Sequence, residues 1–136
     1  MSYHKLRLTT DHVELFEPHA DHQFQEFDNN LIQYGPHCYA GFWNDELIFM
    51  GGFVKDDPCW QFWGVYSEAF KPIHARHIMR ECRREFKQVP CDRAHHLVYM
   101  DDVTGHMLAK FMGAELEGVM KKYYNGLDYA IYAMVK

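Results

Sequence analysis

Polar and apolar residues alternate across residues 4–8, the pattern of a short half-buried strand. Thr9, Thr10 and Asp11 then offer side-chain oxygens for a helix N-terminus ahead of His12 to Phe16, and Pro18 interrupts that helix. Phe24, Phe27, Leu31 and Ile32 recur at helical spacing and predict a second helical segment over 20–33, which Gly35 and Pro36 end. Two aromatic and aliphatic runs, 38–43 and 46–54, flank Asn44-Asp45 and predict a β-hairpin. Beyond the turn at 55–58, residues 60–66 read as a third strand of the same meander.

From Pro72 the period lengthens. Ile73, Ile78, Met79, Cys82 and Phe86 recur with Arg and Glu between them, which predicts a long amphipathic helix with proline in its first turn. Pro90 stops it, residues 96–100 read as a short buried strand, and 103–112 form a helix ended by Gly113. Residues 115–124 and 127–135 flank Asn125-Gly126, the strongest short hairpin signal in the chain. The order β, α, α, β, β, β, α, β, α, β, β has no repeat, linker or low-complexity stretch, so 1–136 is read as a single mixed α/β (α+β) domain.

Composition sharpens this picture. Of the 136 residues, 48% are hydrophobic and 24% charged, enough to bury a core and too apolar for intrinsic disorder. With 14 basic against 19 acidic residues and no basic block, binding driven by phosphate neutralisation is not expected, so nucleic acid is not a default partner. No apolar run approaches the ~18 residues of a membrane helix, and Met1 to Arg7 lacks the apolar stretch of a signal peptide. A cytoplasmic protein without a membrane partner is the expectation. Cys38, Cys59, Cys82 and Cys91 contain no close pair and are read as free thiols. His74-x-x-His77 followed by Cys82 and Cys91 lacks the tight pairs of structural zinc sites, so no metal is expected.

The element order, with a strand–helix–strand–helix unit after a three-strand meander, resembles the Gcn5-related N-acetyltransferase (GNAT) fold. Residues carry the likeness over 97–135: Asp102-Val103-Thr104-Gly105-His106-Met107-Leu108-Ala109-Lys110-Phe111-Met112-Gly113-Ala114 resembles the family's stretch of Asn, Ala, Leu-Tyr-Glu-Lys, an apolar residue and Gly-Phe. Tyr123-Tyr124-Asn125-Gly126-Leu127-Asp128-Tyr129 is similar to its closing hairpin. The resemblance implies a mixed, mainly antiparallel sheet flanked by helices, with one splayed parallel pair between the strands near 60–67 and 95–100. It also implies acetyl-CoA as co-substrate, bound where those strands part, and a small-molecule or protein amine as acceptor. In the family, backbone N–H groups of a Gln/Arg-x-x-Gly-x-Gly/Ala loop hold the pyrophosphate at a helix N-terminus, where unpaired donors and the helix dipole favour an anion.

The matching segment is Phe70-Lys71-Pro72-Ile73-His74-Ala75, in which only Ala75 agrees with the family pattern. The resemblance thus places the cofactor on Val65, Lys71, His74, Ala75, Arg76 and Asp102, with Lys71, His74, Arg76 and His77 supplying charge where glycines are missing. Pro72 removes a donor from the loop. The family's acid tyrosine falls on Ala109 and its helix-starting Asn on Asp102. Direct acyl transfer needs a base for the amine, and Glu68 just past the meander strand is the first candidate, His96 the second. His95 and His96 point to opposite faces of their strand, so one of them faces the cleft. Tyr99 is the candidate phenol for the departing thiolate, with Tyr66, Tyr123 and Tyr124 as alternatives that sheet packing also explains. Trp60 and Trp63 are read as core before acceptor platform. The short, aromatic-rich chain also resembles small internal-virion and assembly proteins of T7-like phages, which implies a catalytically silent binding or assembly role as the alternative, in host cytoplasm or virion. A homodimer is a further expectation.

Overall fold

The computed structural model describes residues 2–18 and 33–136. The chain runs β1 (Tyr3–Arg7), α1 (Thr10–Leu15), β2 (Cys38–Trp43), β3 (Glu46–Asp56), β4 (Cys59–Tyr66), α2 (Pro72–Gln88), β5 (Arg93–Tyr99), α3 (Val103–Phe111), β6 (Glu115–Tyr124) and β7 (Leu127–Val135). The helix expected over 20–33 lies, up to Ile32, outside the described residues.

The seven strands form one sheet in the order β1-β2-β3-β4-β5-β7-β6. Every neighbouring pair is antiparallel except β4 and β5, which α2 joins as a crossover. The expected parallel pair is therefore present. Both predicted hairpins close through left-handed residues, Asn44 (φ 48°) and Asp45 (φ 68°) in one, Asn125 (φ 50°) and Gly126 (φ 73°) in the other. That backbone matches the right-handed twist of the strands, and Asn, Asp and Gly reach it at least cost.

Alternation along β4 divides the interior in two. Phe62 and Tyr66 enter a core that α2 and α3 cover, together with Val98, Ala130 and Tyr132. Trp63 and Val65 enter the opposite core with Leu8, Phe16, Cys38, Ala40 and Met50, against which Val13 of α1 packs. The buried stripe of α2, Ala75, Ile78, Met79, Cys82 and Phe86, follows the helical period. Fully buried side chains such as Ile78 and Met79 each contribute ~1.5–3 kcal/mol of hydrophobic stabilisation.

Three boundaries differ from the sequence pattern. α1 stops at Leu15 because Phe16 turns to extended backbone (ψ 125°) and drives its ring into the second core. β3 continues to Asp56, which narrows the following turn to Asp57-Pro58. β5 starts at Arg93 rather than His96 and ends at Tyr99, so His96 lies in mid-strand. All four cysteines are free thiols. No described helix is long and apolar enough to cross a membrane.

Candidate active site

β4 and β5 pair only through Trp60–Ala94, Gln61–His95 and Phe62–His96. Beyond that register the two strands part, and the gap opens towards both faces of the sheet. On the α2/α3 face lies a small cavity of about 50 Å³, bounded by Phe62, Gly64, Tyr66, His96, Val98 and Asp102 among others. On the other face lies a larger one of about 240 Å³, with Gln61, Trp63, Val65, Tyr123, Tyr124 and Tyr129 in its wall. Phe62, Gly64, His96 and Leu97 border both.

His96 is thus the titratable side chain at the junction. Its ring meets Phe62 edge-on at 4.9 Å, and its Nδ1 is buried with no hydrogen-bond partner among the described residues. Burial, then the nearby charges of His106 and His95, pulls its pKa down to about 4. The imidazole is therefore neutral at physiological pH. Tyr132 pairs with His96 across β5 and β7, and its hydroxyl lies 2.6 Å from His106 Nδ1. His106 Nε2 lies 2.9 Å from the Met100 carbonyl, which can only accept, so Nε2 carries a proton and donates it there.

Asp102 caps α3. Its Oδ1 accepts from the Gly105 N–H and from the Tyr66 hydroxyl, both at 2.9 Å, and the carboxylate is buried. This hydrogen bond ties the end of β4 to the start of α3 across the small cavity. Gly105 makes room for it, since a Cβ there would sit 2.5 Å from Asp102 Oδ2.

At the start of α2 the backbone is already engaged. The Glu68 N–H donates to Glu17 O (2.9 Å), the Ala69 N–H to Ser67 Oγ (3.2 Å) and the Phe70 N–H to Ser67 O (3.0 Å). The Lys71 N–H donates to His74 Nδ1 at 3.0 Å, and Pro72 has no N–H. The segment thus offers few free donors to an anion. His74 is buried against Trp43 and Phe70, and burial followed by the Lys71 charge lowers its pKa. It contributes packing and a cap rather than the positive charge expected of it. Lys71 and Arg76 are the exposed cations, and Arg76 borders a shallow groove with Ile73, His77 and Phe111.

The predicted site residues therefore separate. Val65, His96 and Asp102 gather around the splay, whereas Ala75 is fully buried in the core under α2. Glu68 is exposed on the turn after β4 and borders neither cavity. Tyr99 is buried, donates to Asp101 Oδ2 at 3.1 Å and packs on Tyr129. The sequence reading did not single out the Tyr66–Asp102 bond or Tyr129. The only local signal for either was the aromatic density of β4 and the last hairpin. Among the described residues, no group of His, Cys, Asp or Glu is arranged to hold a metal ion.

Against known proteins, no family model and no curated sequence matches the chain. Solved structures do. An acetyltransferase of the GNAT family from Bacillus anthracis superposes with a TM-score of 0.73 at 11% identity, covering 99% of this chain and 95% of that one. A Bacillus subtilis acetyltransferase in complex with CoA gives 0.70 at 13%, covering 98% and 97%. A structure of yncA from Salmonella typhimurium with its cofactor acetyl-CoA gives 0.61 at 10%, covering 72% of this chain and 63% of that chain's length. Together with the parallel pair that opens after Phe62 and His96, these superpositions identify the fold of this chain as that of the GNAT acetyltransferases.

Proposed function

We propose that the protein is an acyl-CoA-dependent N-acyltransferase that uses acetyl-CoA and acts on a primary amine. The observation that carries this reading is the β4–β5 splay, with the neutral imidazole of His96 where the two cavities meet. Structures of the same fold with CoA and acetyl-CoA support the choice of donor.

The residues fit such a donor in part. The gap between the strands suits its slender arm. With the N–H groups of 68–71 engaged internally, its phosphates fall to the side chains of Lys71 and Arg76. When bound, acetyl-CoA supplies a thioester carbonyl open to attack by an amine. The β4 backbone on either side of Val65 borders the splay, and an N–H of it that faces β5 would donate to that carbonyl oxygen. A lysine-like amine, with a pKa near ~10.4, is mostly protonated at neutral pH and must lose its proton to react. His96 held near 4 is a weak base. It receives the neutral amine by accepting its N–H, and takes the proton as the nitrogen acidifies on forming its new bond. Glu68 would need a bridging water to reach the same proton. The phenol chemistry expected of Tyr99 passes to Tyr66, whose hydroxyl lies in the cleft on Asp102.

The test is thiol release from acetyl-CoA by the purified protein across a panel of arylalkylamines, polyamines, amino acids, aminoglycosides and lysine peptides. Amine-dependent release is expected. A protein that releases no thiol with any of them is better described by the silent binding or assembly role.

A further inference from the structure

The larger cavity lies on the sheet face opposite α2 and α3, so an occupant approaches the gap between β4 and β5 from the side away from α2. Its wall is made by register as much as by composition. Consecutive strand residues normally point to opposite faces, yet Tyr123 and Tyr124 both border the cavity. A bulge in β6 between Met120 and Tyr124 makes this possible, with Lys122 in the left-handed region (φ 50°) and its N–H held by Asp128 Oδ1 at 2.9 Å. Bulges of this kind re-aim side chains beside active sites. Tyr129 completes the wall, fixed between Tyr123 (5.6 Å, 61°) and Tyr99 (5.9 Å, 54°). Trp63 and Leu97 close it from β4 and β5.

Size and charge narrow the occupant. A dry apolar cavity of ~150 Å³ accepts benzene, so about 240 Å³ takes one aromatic ring with a short chain and is tight for two sugar rings. Among the described residues no Asp, Glu, Lys or Arg lines the cavity, and Gln33 and Gln61 are its side-chain amides. A polyamine or aminoglycoside would shed water from several ammonium groups there with no counter-charge from the described residues, which is costly. A ring stacks on tyrosine faces, and a single ammonium over them gains from the ring quadrupole.

We infer that the acceptor is a small arylalkylamine, with one aromatic ring seated among Trp63, Tyr123, Tyr124 and Tyr129 and its primary amine directed into the gap between β4 and β5. The direction of the amine rests on the acyltransferase reading; the ring site does not.

Binding tests it without catalysis. Titration of 2-phenylethylamine into the cofactor-free protein, followed by tryptophan fluorescence, is expected to saturate, whereas spermidine at equal concentration leaves the signal unchanged. Tyr123→Ala and Tyr124→Ala are expected to weaken phenylethylamine binding about three- to tenfold each, and Tyr124→Phe, which keeps the ring, to restore it. Tyr123 is half exposed, so these variants are expected to retain the wild-type circular dichroism spectrum. Tighter binding of spermidine or of a lysine peptide would overturn the proposal. So would phenylethylamine affinity indifferent to both alanine substitutions, or no binding by the folded wild type. Saturable binding without acetyl transfer would uphold the ring site and count against the acyltransferase reading alone.

Discussion

The splay between β4 and β5 and the start of α2 stand at the two ends of one candidate site, and they handle backbone polarity in opposite ways. At the splay the parallel ladder stops after Phe62 and His96, which opens a gap, and His96 Nδ1 is buried without a partner among the described residues. At the α2 turn, four successive N–H groups are already bonded to Glu17, Ser67 and His74. The splay is built to receive something, and the turn is built to hold itself together. Recognition at the first end can use shape and a neutral imidazole. At the second end it must use the long exposed side chains of Lys71 and Arg76, whose attraction for an anion is screened by salt.

The largest expected effect lies at the splay. If His96 receives the amine proton, His96→Gln lowers turnover by ~10²–10⁴-fold while acetyl-CoA binding changes little, as a positioned base contributes about that much. Steady-state rates alongside cofactor titrations check this. A comparable loss from Glu68→Gln, with none from His96→Gln, would move the base to the turn and dissolve the contrast.

Acidification sharpens the contrast through stability. The folded state holds His96 near 4, below the unfolded value of ~6.5, so the unfolded chain binds more protons between those pH values. Stability is therefore full above ~6.5 and falls as pH drops towards 4, by on the order of 2–3 kcal/mol for this residue. Urea midpoints at pH 7 and pH 4.5 should show the loss, and His96→Gln should remove much of it. His74 shifts in the same direction through burial and the Lys71 charge, so His74→Asn should flatten the profile less. Glu85 adds a loss at lower pH. Burial pushes its carboxyl up, but hydrogen bonds from His37 and Tyr39 and the Lys5 charge outweigh that and hold it below its ordinary value.

A smaller effect concerns the roof of the splay. Gly105→Ala places a methyl group against Asp102 Oδ2 and disturbs the cap of α3, which should cost ~0.5–2 kcal/mol in thermal or urea unfolding. It should also weaken the Tyr66–Asp102 bond that ties β4 to α3.

Much of the fold was legible because its signals are local. Asn44-Asp45 and Asn125-Gly126 announce turns whose backbone needs positive φ, and the strand–helix–strand order fixes α2 as a crossover. The early start of β5 was hidden, because Arg93 and His95 look like loop residues until their partners are known. Arg93 is bidentate with Glu117, and His95 Nε2 lies 3.1 Å from Asp56 Oδ2, both far off in sequence. The engaged turn was hidden for the same reason, since the Glu68 N–H is satisfied from Glu17. His96 could be read as facing the cleft, but its neutrality depends on burial that no window around it reveals. The aromatic wall was hidden more deeply, because it depends on the β6 bulge that turns Tyr123 and Tyr124 to one side.

Calorimetric titration of acetyl-CoA tests most directly whether the opened strand pair and the α2 side chains form a single donor site. The wild type is expected to bind one equivalent, with affinity that falls as salt rises, and Lys71→Glu combined with Arg76→Glu is expected to abolish binding while the melting temperature of the free protein stays near wild type. Absence of binding to the wild type at millimolar acetyl-CoA would contradict the account, as would binding indifferent both to salt and to the double substitution.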